Sequence, residues 1–197
     1  MKPLELARAH VAASWQLKQS LSDELLERVC EFSRVTAQSL RQGGKVLFMG
    51  NGGSAADAQH IAAELVGRYR LPRPAMPAIA LTTNASILTA VANDYSFEDI
   101  FARQLEGFSQ PGDVVVGIST SGNSPNILRG LEVARAKRAY TVGMTGATGG
   151  KMRSLVDLLL NVPSEDTQRI QEVHILIGHI FCDLVERHLA SPSGEQE

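Results

Sequence analysis

The sequence of 197 residues has few cysteines, few aromatic residues and almost no net charge. Cys30 and Cys182 lie far apart and form no CxxC pair, so neither a zinc knuckle nor a disulfide framework is predicted and both thiols are expected to be reduced. The formal charge of −2 gives no electrostatic reason to expect a nucleic-acid partner. With 44% apolar and 20% charged residues, the composition is that of an ordinary globular domain.

Long apolar runs are also absent. No run approaches the roughly 18 residues that a membrane-spanning helix requires, and the first residues, MKPLELARAH, lack the apolar stretch of a signal peptide. We therefore expect no membrane association and a cytoplasmic location. The length fits one domain with its own buried core.

The chain divides by pattern into a helical lead-in, a core and a short polar tail. Residues 1–43 carry apolar positions at helical spacing, which predicts two helices, the second capped by Ser20 or Ser22. This lead-in is expected to pack either on the core or on another subunit. Residues 44–190 form the predicted α/β core, and residues 191–197 are expected to be a flexible tail.

Short apolar runs that are continuous rather than alternating recur through the core, as expected for strands buried on both faces of a parallel sheet. The predicted strands are 46–49, 78–81, 114–118, 140–144 and 158–162. The predicted helices are 54–67, 85–107, 125–138, 150–156 and 166–190. This alternation predicts a doubly wound α/β domain with a five-stranded parallel sheet. Ligands of such sheets bind beyond the carboxyl ends of the strands.

The first loop at a strand end, GNGGSAADAQH, begins at Gly50. Asn51, Gly52 and Gly53 allow a sharp turn, and a helix that starts at Gly53 or Ser54 points its free backbone N–H groups towards an anion. The loop is neither a Walker loop nor a dinucleotide fingerprint, because GxxxxGK[ST] and GxGxxG are both absent. The alternative interpretation is a tight turn without a ligand.

A second loop, GISTSGNSPN, follows the third predicted strand and is rich in hydroxyl groups. These belong to Ser119, Thr120, Ser121 and Ser124, and Pro125 suits the first turn of the next helix. Hydroxyls together with exposed backbone N–H groups bind a phosphate monoester where no lysine is supplied. Ordinary capping without a ligand is the alternative.

Asn93 and Asp94 follow a short apolar stretch after the second predicted strand. Such a pair is usually a turn or a cap. It is also suited to hydrogen-bonding sugar hydroxyls, and both interpretations stay open on the sequence alone.

Two apolar helices carry polar residues that do not fit a simple core. His60 and Glu64 are four residues apart and therefore share one face of the helix that the first loop opens. On the C-terminal helix, Gln171, His174 and His179 stand among apolar neighbours. Together these residues indicate a metal or acid–base site. Gln171 and His179 are separated by about 12 Å along a helix axis, so His174 is a rival ligand on spacing grounds.

Five motifs occur in one order along the chain: GNGGSAADAQHIAAEL, VANDYSFEDIF, PGDVVVGISTSGNSPN, GMTGATGGKM and RIQEVHILIGH. Together they resemble the sugar-isomerase (SIS) domain family over nearly the whole chain, and more closely its branch that isomerises sedoheptulose 7-phosphate. The resemblance implies a flavodoxin-like fold, a homotetramer with active sites at subunit interfaces, and formation of D-glycero-D-manno-heptose 7-phosphate, the first step towards the heptose of bacterial lipopolysaccharide or related glycans.

The resemblance also implies the roles of individual residues. A zinc ion, one per subunit, is expected on His60, Glu64, Gln171 and His179, which favours His179 over His174. Sugar-phosphate contacts are expected from Asn51, Gly52, Gly53, Ser54, Glu64, Asn93, Asp94, Ser119, Thr120, Ser121, Ser124 and Gln171.

Aldose–ketose isomerisation moves a proton between C1 and C2 through an enediol and requires a base, an acid and stabilisation of the developing oxyanion. Our hypothesis is that Glu64 abstracts the proton and His179 delivers it, while a divalent ion acts as a Lewis acid. One departure from the family pattern is Gln168, where some members carry an acidic residue. An acid–base role at that position is therefore in doubt, although Asp166 lies close enough in sequence to compensate.

Two other functions are compatible with the fold and the loops. A sister branch of the family is a non-catalytic tetramer that binds the bacterial replication initiator, and other members act on different sugar phosphates. The complete set of His60, Glu64, Gln171 and His179 favours the enzyme, because the non-catalytic branch loses active-site residues.

Overall fold

The computed structural model describes residues 2–190. Its seven α-helices are α1 (Pro3–Gln19), α2 (Asp23–Arg41), α3 (Gly53–Val66), α4 (Ala85–Asp94), α5 (Ala102–Phe108), α6 (Pro125–Ala136) and α7 (Thr167–Ala190). Its five strands are β1 (Val46–Gly50), β2 (Ala78–Ala80), β3 (Val114–Ile118), β4 (Tyr140–Thr145) and β5 (Leu158–Asn161). The predicted tail, residues 191–197, lies outside the described residues.

The five strands form one parallel sheet in the order β2-β1-β3-β4-β5, which is the flavodoxin-like order. The expected fold class is therefore confirmed. β2 lies on one side of β1, whereas β3, β4 and β5 follow in order on the other side of β1. The crevice between the carboxyl ends of β1 and β3 is thus the switch point at which such sheets bind ligands.

Successive residues of each central strand pack into two separate cores, one on each face of the sheet. Phe48 of β1 belongs to the core beneath α2, α3 and α7, where the Phe32 and Phe181 rings stack at 3.9 Å between centroids. Leu47 and Met49 belong to the core beneath α5 and α6. Burial on both faces explains why the strands are continuous apolar runs.

The structure divides the helix predicted at 85–107 into three pieces. α4 ends at Asp94, a single 3-10 turn covers Phe97–Asp99, and α5 begins at Ala102. Ser96 causes the break, because its hydroxyl accepts the backbone N–H of Glu98 and donates to the Asp99 carboxylate. A polar residue that bonds to its own backbone competes with helix continuation.

Smaller differences occur elsewhere. The helix predicted at 150–156 is a 3-10 helix over Gly150–Ser154. Ser22, rather than Ser20, caps α2 by accepting the backbone N–H of Leu25. Of the two free thiols, Cys182 is buried, and burial raises its pKa to about 12.

α1 has no buried residue, although its sequence includes several large apolar side chains. No helix among residues 2–190 is long and apolar enough to cross a membrane.

Candidate active site

The loops after β1 and β3 meet at the switch point and are joined by a pair of amides. Asn51 and Asn126 each donate a side-chain N–H to the other's side-chain carbonyl, both at 2.9 Å. Gly52 has a φ of +55°, which lets the chain turn directly into α3. The N-termini of α3 and α6 therefore open beside the same crevice, an arrangement that favours an anion.

Three hydroxyls converge in the loop after β3. The Ser119 Oγ lies 2.9 Å from the Ser124 Oγ and 3.4 Å from the Ser121 Oγ. Ser124 occupies the N-cap position of α6 without donating or accepting a side-chain capping bond, so its hydroxyl is directed to the other serines. The structure thus brings together three of the four hydroxyls of the predicted phosphate loop, all of them neutral donors.

α3 and α7 run parallel and approach closely at two glycines. A Cβ added at Gly53 would lie 2.5 Å from the Gln171 amide nitrogen, and one added at Gly178 would lie 2.7 Å from Ile61. The first contact places Gln171 at the entrance of α3, beside the glycine-rich loop. The second brings the next residue of α7, His179, level with His60.

His60, Glu64 and His179 form one cluster. The Nε2 atom of His60 lies 3.3 Å from the Glu64 carboxylate and 3.3 Å from the Nε2 atom of His179. One donor atom from each residue lies within 4.8 Å of the other two. The structure therefore brings three of the four predicted ligands together. The fourth, Gln171, places its amide against Gly53 at the start of α3.

The donor set fits a divalent ion. Tetrahedral zinc holds histidine nitrogens at 2.0–2.1 Å, which keeps neighbouring donors about 3.3 Å apart. The separations of His60 from Glu64 and from His179 both have this value. Three protein ligands with an open position are typical of a catalytic zinc site rather than a structural one.

Two further titratable groups border this region. Burial raises the pKa of Asp57, one turn before His60, to about 6, and the nearby His60 opposes that shift. His174, the rival ligand, is fully buried, and its Nε2 lies 3.2 Å from the carbonyl oxygen of Thr145 at the end of β4. It is therefore directed at the sheet rather than at His60.

The remaining predicted contacts are spread around the crevice. Ser54 is buried beneath Gly50, and Thr120 accepts the backbone N–H of Gly146 through its carbonyl. Asn93 and Asp94 are exposed at the end of α4, where the Asn93 amide donates to the Asp94 carboxylate at 2.8 Å.

The departure at Gln168 falls at the start of α7. Asp166 accepts the backbone N–H of Gln168 at 3.0 Å, and both residues are exposed. The Asp166 carboxylate therefore serves the backbone at the entry to the helix.

Sequence reasoning missed three residues that the structure ties to this region. Asn126 follows the serine loop by two residues and pairs with Asn51. Tyr69 stacks on His179 with 5.7 Å between ring centroids, and the buried Glu186 fixes the segment that carries Tyr69. Only the position of Asn126, directly after a candidate phosphate loop, offers a signal in the sequence.

Comparison with known proteins finds relatives over nearly the whole chain. The SIS domain family profile matches residues 10–146. The chain is 56% identical over 181 residues to a protein from Geobacter sulfurreducens named phosphoheptose isomerase, covering 92% of this chain and 96% of that one. A protein of the same name from Maridesulfovibrio salexigens is 50% identical over 188 residues, covering 95% and 92%.

A solved structure gives the same result. Phosphoheptose isomerase GmhA from Neisseria gonorrhoeae superposes with a TM-score of 0.89 at 42% identity, covering 94% of this chain and 100% of that chain.

Proposed function

The chain belongs to the SIS domain family, and from that premise we propose that it is a phosphoheptose isomerase converting sedoheptulose 7-phosphate into D-glycero-D-manno-heptose 7-phosphate. The observation that carries this proposal is the convergence of His60 and Glu64, on the helix that follows the glycine-rich loop, with His179 of α7. A phosphate loop alone is compatible with a binding protein. A carboxylate and two imidazoles in contact provide the acid–base groups that proton transfer requires.

We assign the phosphate to the crevice between β1 and β3. The hydroxyls of Ser119, Ser121 and Ser124 and the free N–H groups of α3 supply neutral donors without a buried cation. The other contacts proposed for the sugar phosphate are Asn51, Gly52, Gly53, Ser54, Asn93, Asp94 and Thr120. Gln171 is proposed for this set as well, because its amide lies against Gly53.

We propose that His60, Glu64 and His179 hold zinc and that the Gln171 amide takes its fourth position. When bound, the ion supplies Lewis-acid polarisation of the sugar carbonyl. The proton steps belong to the side chains: Glu64 takes the proton from C1, next to the carbonyl, and His179 returns one to C2, the other end of the enediol. The proton of the C1 hydroxyl passes to the C2 oxygen, and Glu64 and His179 then exchange protons with solvent to complete the cycle. Coordination lowers the basicity of Glu64, so we expect the two roles to alternate during the cycle.

The cellular setting follows from the proposed reaction. We propose a cytoplasmic homotetramer that supplies heptose for lipopolysaccharide or a related glycan. Its partners are then the sugar phosphate and further copies of this chain.

The Glu64→Gln variant tests the proposed base. We expect kcat for sedoheptulose 7-phosphate to fall at least about 100-fold, because a positioned base contributes roughly 10²–10⁴. Glu106→Gln is the matched control, since Glu106 is an exposed glutamate on α5 that pairs with Arg103, and it should retain full turnover. Near-normal turnover by Glu64→Gln would exclude Glu64 as the base.

The same assay tests the metal. Treatment with a chelator should abolish turnover, and stoichiometric zinc should restore it. If the metal-replete protein forms no product but binds the replication initiator, the non-catalytic function is correct instead.

A further inference from the structure

The segment between α3 and β2, residues 67–77, has no regular secondary structure, yet one buried acid holds it in place. Glu186 of α7 is 1% exposed. Its carboxylate accepts three consecutive backbone N–H groups at 2.8, 2.8 and 2.9 Å, those of Tyr69, Arg70 and Leu71. Burial alone would raise the pKa of Glu186, but these donors and Arg73 hold it below its usual range, so the group is ionised.

Arg73 connects the same carboxylate to α3. Its Nε donates to Glu186 at 3.0 Å, and its guanidinium also donates to the carbonyls of Glu64 and Leu65 at 2.8 and 2.7 Å. These carbonyls lie in the last turn of α3, where carbonyl groups have no partner within the helix. Glu186 and Arg73 therefore tie the end of α3, the segment and α7 into one unit, and Glu64 belongs to it through its backbone.

The tied segment places an aromatic ring on the catalytic cluster. The Tyr69 ring stacks on His179 at an interplanar angle of 21°, and the Arg70 guanidinium lies 5.5 Å from the Tyr69 centroid. The edge of His179 contacts His60, with ring planes at 65°. His179 is thus held by Tyr69 on its face while its Nε2 is directed at His60.

A stabilising function alone does not account for this arrangement. A buried ion pair is often no more stable than apolar residues of similar size. What the pair does provide is a fixed position for the segment. Three charge-assisted bonds hold the backbone of Tyr69, which stacks on His179, and of Arg70 and Leu71, which follow it.

We propose that Glu186 is a positioning residue that, through residues 69–71, holds Tyr69 against His179 and thereby fixes the imidazole for proton transfer. This inference rests on the proposed isomerase function for its kinetic consequence. Its structural consequence, the orientation of the His179 ring, is independent of the reaction.

Asp113 offers a matched control for Glu186. It is also a 1% exposed acid that accepts backbone N–H groups, those of Lys45 and Gln110, and pairs with a cation, the Lys45 ammonium at 2.7 Å. It lies just before β3, at the end of the sheet opposite the crevice. Glu186→Gln and Asp113→Asn therefore remove the same kind of interaction, near the cluster and far from it.

The experiment compares these two variants with Tyr69→Leu and Tyr69→Phe in the full-length, zinc-loaded protein. We measure kcat, KM, the urea midpoint and the histidine ring ¹⁵N resonances. Both acid variants should lower the urea midpoint. Only Glu186→Gln and Tyr69→Leu should lower kcat, by about tenfold or more with little change in KM, because small misplacements of a reacting group are costly. Tyr69→Phe keeps the stack and should recover the kcat that Tyr69→Leu loses.

The ring resonances separate the two proposals. His179 should shift in Glu186→Gln and Tyr69→Leu but not in Asp113→Asn. Unchanged His179 resonances and unchanged kcat in Tyr69→Leu, which leaves the buried acid intact, would overturn the positioning role. If the wild-type protein is inactive but the His179 resonances still shift in Glu186→Gln and Tyr69→Leu, the isomerase function is overturned. The positioning role then stands.

Discussion

His174 couples the stability of the fold to pH at the scale of a single residue. Burial lowers its pKa from 6.5 to about 4, against the opposing effect of the bond to the Thr145 carbonyl. Between those values the unfolded chain binds a proton that the native protein does not. Stability therefore falls as pH drops from about 6.5 towards 4.

Replacing His174 by Gln removes the imidazole that titrates but keeps a side-chain nitrogen that can donate to the Thr145 carbonyl. Between pH 7.5 and 5, we expect the free energy of unfolding of the wild type to fall about 2 kcal/mol more than that of His174→Gln. Urea unfolding of the metal-free proteins at both pH values measures this difference. His10→Asn, at an exposed histidine of α1, should behave like the wild type. An equal pH dependence for His174→Gln and the wild type would contradict the assignment.

At the same scale, the sequence predicts site residues only where a local pattern marks them. The glycine loop, the serine loop and the spacing of His60 and Glu64 are local, so they can be recognised without coordinates. Tyr69 and Glu186 lie more than 100 residues apart in sequence and meet only because α7 lies along α3. His174 and His179 show the same limit, since spacing favoured neither, whereas the fold directs one to the sheet and the other to His60.

At the scale of elements, the crossing of α3 and α7 sets the geometry of the cluster. Gly178 permits the close approach, because an added Cβ would lie 2.7 Å from two carbon atoms of Ile61. In Gly178→Ala the helices must separate or Ile61 must leave its packing position. Overpacking of this kind costs about 1–3 kcal/mol, and the shift falls next to His179.

We therefore expect Gly178→Ala to lower both the urea midpoint and kcat. Gly107→Ala is the matched control, because Gly107 is also helical and an added Cβ there meets nothing within 4 Å. It should be neutral or stabilising by up to about 1 kcal/mol. If both variants behave alike, close packing at Gly178 does not set the crossing.

Elements were predictable from sequence where the apolar period is strong and less so where polar side chains intervene. All five strands were placed within a residue or two, because burial on both faces gives continuous apolar runs. The helix predicted at 85–107 was wrong because Ser96 bonds to the next few residues, an effect that depends on one hydroxyl and leaves the apolar pattern intact.

At the scale of the whole molecule, the alternation of strands and helices predicted the class of sheet. It did not predict which surface the two N-terminal helices pack against. Residues 3–41 form the two expected helices. α2 packs into the core through Leu25, Val29 and Phe32, whereas α1 buries none of its residues in the single chain. Periodicity shows that a helix has an apolar face but not which surface covers that face.

That uncovered face leads to the last prediction. Leu4, Val11 and Trp15 of α1 are 63%, 71% and 62% exposed. Exposed apolar patches of this kind mark interaction surfaces, and the proposed homotetramer provides a partner for this one. Trp15→Glu places a charge on the patch, so it should lower the assembly below the tetramer mass, four times the 21.2 kDa chain.

Light scattering over a dilution series measures this mass. Gln16→Glu adds the same charge at the neighbouring exposed position and should leave the tetramer intact, because the face of a helix turns by about 100° between adjacent residues. If Trp15→Glu remains tetrameric on dilution, another surface forms the interface. A monomeric wild type would contradict the tetramer itself, and α1 would then need a different partner to cover its apolar side chains.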